Sequence, residues 1–186
     1  LMWYCESKSK TNLLWSKDGR QRSLLQLQEG LISGPLTVLG AAAEPSDVRD
    51  AIVGGQRIIA ADGAVGVLNE SEYPGIAWDA LLCVVSDGDG DMADLTMAAE
   101  RGVPFVLHAH GDNIQQWIKL LDVLFLHGTP LILTHQTPVE LEGMCNPGGF
   151  TDGDRAVCFA LSQNVERVQI KLRGFQTESI GRSTGQ

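Results

Sequence analysis

The chain has 186 residues, with 23 acidic and 14 basic side chains for a formal charge of −9, and 44% of it is hydrophobic against 20% charged. That balance excludes a disordered chain, and an acidic surplus without a basic block excludes a nucleic-acid binder held by phosphate contacts. The length suits one main domain, and no apolar run approaches the ~18 residues of a membrane-spanning helix, so a soluble protein is expected.

The first residues, Leu1-Met2-Trp3-Tyr4, lack the basic stretch and apolar core of a secretory signal. Cys5, Cys83, Cys145 and Cys158 are scattered without a C-x-x-C pair, and Cys83 lies inside the apolar run Leu81-Leu82-Cys83-Val84-Val85. Free thiols and a cytoplasmic setting are expected. Residues 11–33 carry Leu13, Leu14, Leu24, Leu25, Leu27, Leu31 and Ile32 among polar residues. They predict helix, broken at Asp18-Gly19, within an N-terminal helical segment over residues 1–35.

From residue 36 the rhythm changes. Short apolar runs recur at 36–39, 57–61, 81–85, 103–107, 131–134 and 167–172, rich in β-branched residues. Their length and composition fit strands buried on both faces of a parallel sheet. Helical spacing fills the gaps. Ser46 precedes a helix that ends at Gly54-Gly55, and 91–101 stops before Gly102 and Pro104. Asp112 or Asn113 caps 114–125, with Ile114, Trp117, Ile118, Leu121 and Leu124 as one apolar stripe, and a last helix runs from Asp152 to Leu161. The alternation predicts an α/β, Rossmann-like three-layer sandwich with a mostly parallel sheet over residues 36–175, then a polar tail over 176–186.

In such sheets ligands gather at the carboxyl ends of the strands. Here those ends carry Asp62-Gly63-Ala64, then Ser86-Asp87-Gly88-Asp89-Gly90-Asp91, then His108-Ala109-His110-Gly111-Asp112-Asn113. Asp62, Asp87, Asp89, Asp91 and Asp112 would crowd one rim and repel one another unless a cation or protons neutralise them. Oxygen-only ligands select hard cations such as Mg²⁺ or Mn²⁺, through which an acidic protein can hold a polyphosphate. The bland alternative is a solvated acidic turn capping a helix. An EF-hand is excluded, because its glycine and glutamate positions hold Met92 and Ala98. His108 and His110 form an H-x-H that zinc, a phosphate or an adenine could use, or that supplies a core histidine; His127 and His135 read as loop residues without a role. Arg155, in the first turn of the last helix and after Gly148-Gly149, pairs with a carboxylate or clamps a phosphate. Neither G-x-G-x-x-G nor G-x-x-x-x-G-K-[ST] occurs. Trp78, Trp117 and Phe150 are candidates for stacking on a flat ring, or for core packing.

Four segments taken together resemble one family: Ala60-Ala61-Asp62-Gly63-Ala64, Val85 to Asp91, His108 to Asn113, and Gly148-Gly149-Phe150-Thr151-Asp152-Gly153-Asp154-Arg155-Ala156. Over about residues 36–175 the chain resembles the archaeal 6-hydroxymethyl-7,8-dihydropterin pyrophosphokinases, and more faintly thiamine pyrophosphokinase, whose catalytic-domain fold is thereby implied. The resemblance implies transfer of diphosphate from ATP to the pterin hydroxymethyl group with release of AMP, in folate or tetrahydromethanopterin biosynthesis, dependent on Mg²⁺. It implies Asp87, Asp89 and Asp152 as metal ligands and Asp62, Asp87 and Asp89 as the catalytic set. His108, His110, Asp112, Asn113, Asp154 and Arg155 would meet ATP and its phosphates. The partners implied are ATP and a small pterin-type alcohol, without nucleic acid or membrane and with room for a homodimer. Gly88 stands where the family has leucine, which predicts a looser metal loop, and 40–46 departs from the family's G-A-G-P-S-L. Diphosphate transfer to another alcohol such as thiamine, metal-dependent glycosyl transfer, and a non-catalytic nucleotide sensor are the other readings.

Overall fold

The computed structural model describes residues 2–111 and 113–175, so Asp112 and the expected polar tail over 176–186 lie outside the described residues. The chain forms α1 (Met2–Ser9), a 3₁₀ turn (Leu13–Trp15), α2 (Lys17–Ile32), β1 (Leu36–Leu39), α3 (Pro45–Val53) and β2 (Arg57–Ala61). A second 3₁₀ turn (Asp62–Gly66) leads into α4 (Val67–Glu70), α5 (Pro74–Ala80), β3 (Leu81–Ser86), α6 (Met92–Glu100) and β4 (Phe105–Ala109). There follow α7 (Ile114–Leu126), β5 (Leu131–His135), α8 (Asp152–Ser162), a 3₁₀ turn (Arg167–Gln169) and β6 (Ile170–Arg173).

Among the described residues the strands form a six-stranded, all-parallel sheet in the order β5-β4-β3-β2-β1-β6. From β1 to β5 each strand is laid down beside the last, so right-handed crossovers place the intervening helices on one face. The return from β5 to β6 crosses back and puts α8 on the other face, beside α2. Side chains alternate accordingly. Ile58 and Ala60 of β2 join Val48, Leu95, Trp117 and Leu121 on the first face, whereas Ile59 and Ala61 join Leu27, Leu31, Ala156 and Phe159 on the second. Both faces are dry, which explains why these strands read as unbroken apolar runs. Each fully buried Leu or Ile contributes about 1.5–3 kcal/mol relative to exposure. No helix of the described residues is long and apolar enough to cross a membrane.

Several boundaries differ from the sequence expectation. β4 starts at Phe105 because Pro104 has no N–H to give the ladder, and it continues through His108. Residues 167–169 form a 3₁₀ turn before the last strand. The break near Asp18-Gly19 lies instead at Ser16, whose hydroxyl accepts from the Gly19 N–H at 3.0 Å, and α2 runs through Gly19. A Cβ at Gly19 would sit 2.0 Å from the Leu13 carbonyl oxygen, so this glycine allows close packing and does not end a helix. The N-cap of α3 is Glu44, with Pro45 first in the helix and Ser46 inside it. α4 and α5 were not anticipated from the sequence. His127 is the C-cap of α7, and His135 is the buried last residue of β5, so neither is a plain loop residue.

Candidate functional site

The carboxyl ends of β2 and β3 and the N-terminus of α8 converge. Asp62 leaves β2 with a φ of +47°, a conformation that aspartate tolerates better than most residues. Its Oδ1 accepts from the Ser86 hydroxyl at the end of β3, and Ser86 Oγ in turn accepts from the Gly88 N–H at 2.9 Å. One serine thus fixes both Asp62 and the first turn of the 86–91 loop. Gly88 has a φ of +92°, and a Cβ there would lie 3.0 Å from the Trp117 backbone of α7. The loop is therefore wedged against that helix, tighter than expected, and a leucine does not fit this backbone.

Asp87 Oδ2 accepts from Arg155 Nη1 at 3.1 Å and from His110 Nε2 at 2.9 Å, while the same Arg155 nitrogen donates to Asp152 Oδ1 at 3.0 Å. Asn113 Nδ2 donates to the Asp87 carbonyl at 2.6 Å, bracing the loop from the start of α7. The Arg155 side chain is only 7% exposed. Its position follows from the cap of α8: Thr151 Oγ1 accepts from Asp154 N and the Asp154 carboxylate accepts from Thr151 N, so the first turn is fixed.

Asp62, Asp87, Asp89 and Asp152 each bring a carboxylate oxygen to within 4.8 Å of the others. Three separate chain segments supply them. Asp62 Oδ2 and Asp87 Oδ1 are buried and accept no hydrogen bond, so two full acceptors point into the cluster without a donor. Among the described residues this cluster contains neither thiol nor imidazole. An all-oxygen set with orphaned, buried acceptors fits a hard divalent cation.

The electrostatics agree. Burial first, then Asp152, raises the pKa of Asp62 well above the usual carboxylate range, and burial followed by Asp87 raises that of Asp89. Asp152 is pushed up to about 7, by burial first and then by Asp87, against the pull of Arg155. In the unfolded chain these groups lose their protons near pH ~4. The folded, metal-free protein holds more protons between there and about pH 7, so its stability falls as pH rises through that window. Thermal melts without metal are expected to show this decline, and a divalent cation is expected to raise the midpoint more at pH ~8 than at pH ~5, because it then competes with no protons.

Not every acid of the rim takes part. Asp91 accepts from the N–H groups of Ala93 and Asp94 at 2.8 and 3.2 Å, so it caps α6 and stands outside the cluster. Asp154, expected to meet phosphate, is instead committed to the α8 cap. His108, also expected there, is 1% exposed and its Nδ1 lies 2.9 Å from Thr134 Oγ1. Burial, then the Arg155 and His110 charges, lowers its pKa to about 4, so it is a neutral, buried histidine outside the carboxylate cluster. Asp112 lies outside the described residues. Ser86 was missed, though a hydroxyl directly before Asp87-Gly88-Asp89 at a strand end is a readable signal.

Gly90 sets the distance between two of the loops. A Cβ there would lie 2.2 Å from Asp62 Oδ2 and 2.8 Å from Gly63 N. Gly90→Ala is expected to weaken divalent-ion binding at least tenfold and to cost about 1–3 kcal/mol by overpacking. Gly75→Ala, where nothing lies within 4 Å, is the neutral control, both read by calorimetric titration and urea melts.

No family model matches the chain. It is 39% identical over 122 residues to 6-hydroxymethyl-7,8-dihydropterin pyrophosphokinase of Pyrococcus furiosus, covering 66% of this chain and 46% of that protein. Proteins of the same name from Methanothermobacter thermautotrophicus and Methanocaldococcus jannaschii are 36% and 39% identical, over 60% and 63% of this chain and 43% and 45% of theirs. The chain spans less than half the length of the curated relatives it matches.

Proposed function

We propose that this chain transfers diphosphate from ATP to 6-hydroxymethyl-7,8-dihydropterin and releases AMP, using Mg²⁺. The observation that carries the reading is the convergence of Asp62, Asp87, Asp89 and Asp152 around orphaned oxygens, with Arg155 as the buried counter-charge. The names of the three archaeal relatives support the same chemistry.

Attack on a phosphorus within a polyphosphate needs in-line placement and neutralised charge rather than a covalent nucleophile. Asp87, Asp89 and Asp152 are the residues that would hold Mg²⁺, which would supply that neutralisation of phosphate charge. Asp62, whose buried Oδ2 accepts no hydrogen bond and belongs to the cluster, is assigned to accept the proton of the attacking hydroxyl. Arg155 and His110 orient Asp87 and present positive and donor groups toward the polyphosphate, and Asn113 keeps the loop in register.

Purified protein with ATP, magnesium and 6-hydroxymethyl-7,8-dihydropterin is expected to yield AMP and the pterin diphosphate in equal amounts by mass spectrometry. AMP release only with thiamine would move the acceptor assignment. Consumption of a nucleotide sugar, or ATP binding without turnover, would overturn the reaction class.

A further inference from the structure

Beside the acidic cluster lies a cavity of about 680 Å³ that the acids do not line. Its walls are mostly apolar and include Ile114 and Trp117 of α7, His110, and Met144 and Leu141 from the segment after β5. That volume suits a bicyclic ring system. His110 belongs to both regions, since it lines the cavity and its Nε2 lies 2.9 Å from Asp87. Gly88, between two of the cluster's acids, packs directly on the Trp117 backbone. One imidazole and one peptide therefore separate the cavity from the carboxylates.

We infer that this cavity holds the flat heteroaromatic ring of the acceptor alcohol, an inference that rests on the diphosphotransfer reading. Connectivity selects the acceptor over the adenine of ATP. The acceptor's reacting hydroxyl stands one carbon from its ring, so the ring has to lie immediately beside the phosphates being transferred. The adenine is held away from the attacked phosphorus by a ribose and a further phosphate, too far for a chamber that begins one side chain from Asp87. Trp117 and His110 put aromatic side chains on its lining, and Ile114, Leu141 and Met144 supply the aliphatic wall. The other stacking candidates are elsewhere. Trp78 carries Arg101 4.6 Å from its ring and donates to Asn69, and Phe150 is 86% exposed.

Ile114 is 49% exposed, so a large charged side chain can be placed there without unpacking the core. Ile114→Arg is expected to weaken binding of oxidised 6-hydroxymethylpterin, followed by its fluorescence without ATP or metal, at least tenfold. The affinity for a non-hydrolysable ATP analogue with Mg²⁺ and the melting midpoint should stay as in the parent protein. Met144→Trp, filling the cavity from the segment after β5, is expected to give the same loss of pterin affinity with the nucleotide analogue still bound. If both variants keep the pterin affinity while the parent protein turns the pterin over, the cavity assignment falls and the reaction stands. If they lose the nucleotide analogue instead, the cavity takes adenine and the assignment is likewise overturned. A parent protein that neither binds the pterin nor releases AMP with it defeats the reaction itself, and the inference with it.

Discussion

Asp87→Asn is expected to lower turnover by at least about a thousandfold while the metal-free melting midpoint moves by only a few degrees. The asymmetry follows from what surrounds the side chain. Asp87 Oδ2 serves Arg155 and His110, and an asparagine oxygen can still accept from both, at reduced strength. Against that loss, the variant removes one of four carboxylates crowded within 4.8 Å, relieving repulsion that Arg155 alone does not cancel. The two effects oppose in the folded protein. They do not oppose in function, because the amide offers a divalent ion neither charge nor a second oxygen. The upward shift of the melting midpoint on adding Mg²⁺ should disappear with the activity. Activity within tenfold of the parent, or an intact metal-dependent shift, would show that Asp87 is a structural partner of Arg155 and no ligand.

The parallel sheet was legible because its strands are buried on both faces, which leaves continuous apolar runs such as the one over residues 81–85. The convergence of Asp62, Asp87 and Asp89 was legible for a topological reason: residues that directly follow adjacent parallel strands must share one rim. Other placements were decided at shorter range. Asp91 and Asp154 have the composition of site residues, but each sits within a turn of a helix N-terminus, where free N–H groups compete for a carboxylate. His108 falls on the strand itself, since β4 continues to Ala109, and its buried ring pairs with Thr134 of β5. The role of Gly90 depends on where another loop passes, and the cavity over α7 depends on the segment after β5. Neither leaves a periodic trace in the sequence. Resemblance to a family added Asp152, which no spacing argument links to residues more than sixty positions earlier.

Arg155→Met should produce the largest loss of stability of any change near the site, and the loss should depend on pH. The guanidinium is 7% exposed and donates from one nitrogen to both Asp87 and Asp152. Methionine fills much the same volume without charge, so the buried position in the first turn of α8 stays filled. The two carboxylates remain buried without a cation, a situation that costs about 3–5 kcal/mol when a buried pair is broken from one side. For a chain of this size that corresponds to a fall of roughly 6–20 °C in melting temperature. At about pH 5 the groups of the cluster whose pKa values are raised, Asp152 at about 7 among them, hold protons and the penalty shrinks, whereas it grows as pH rises past that value. A divalent ion supplies the missing positive charge. Saturating Mg²⁺ is therefore expected to recover part of the loss at pH ~8 and little at pH ~5, and melts over that grid measure it. An equal loss at both pH values, indifferent to metal, would mean that Arg155 acts through the packing of α8 and not as the counter-charge that lets four acids share one site.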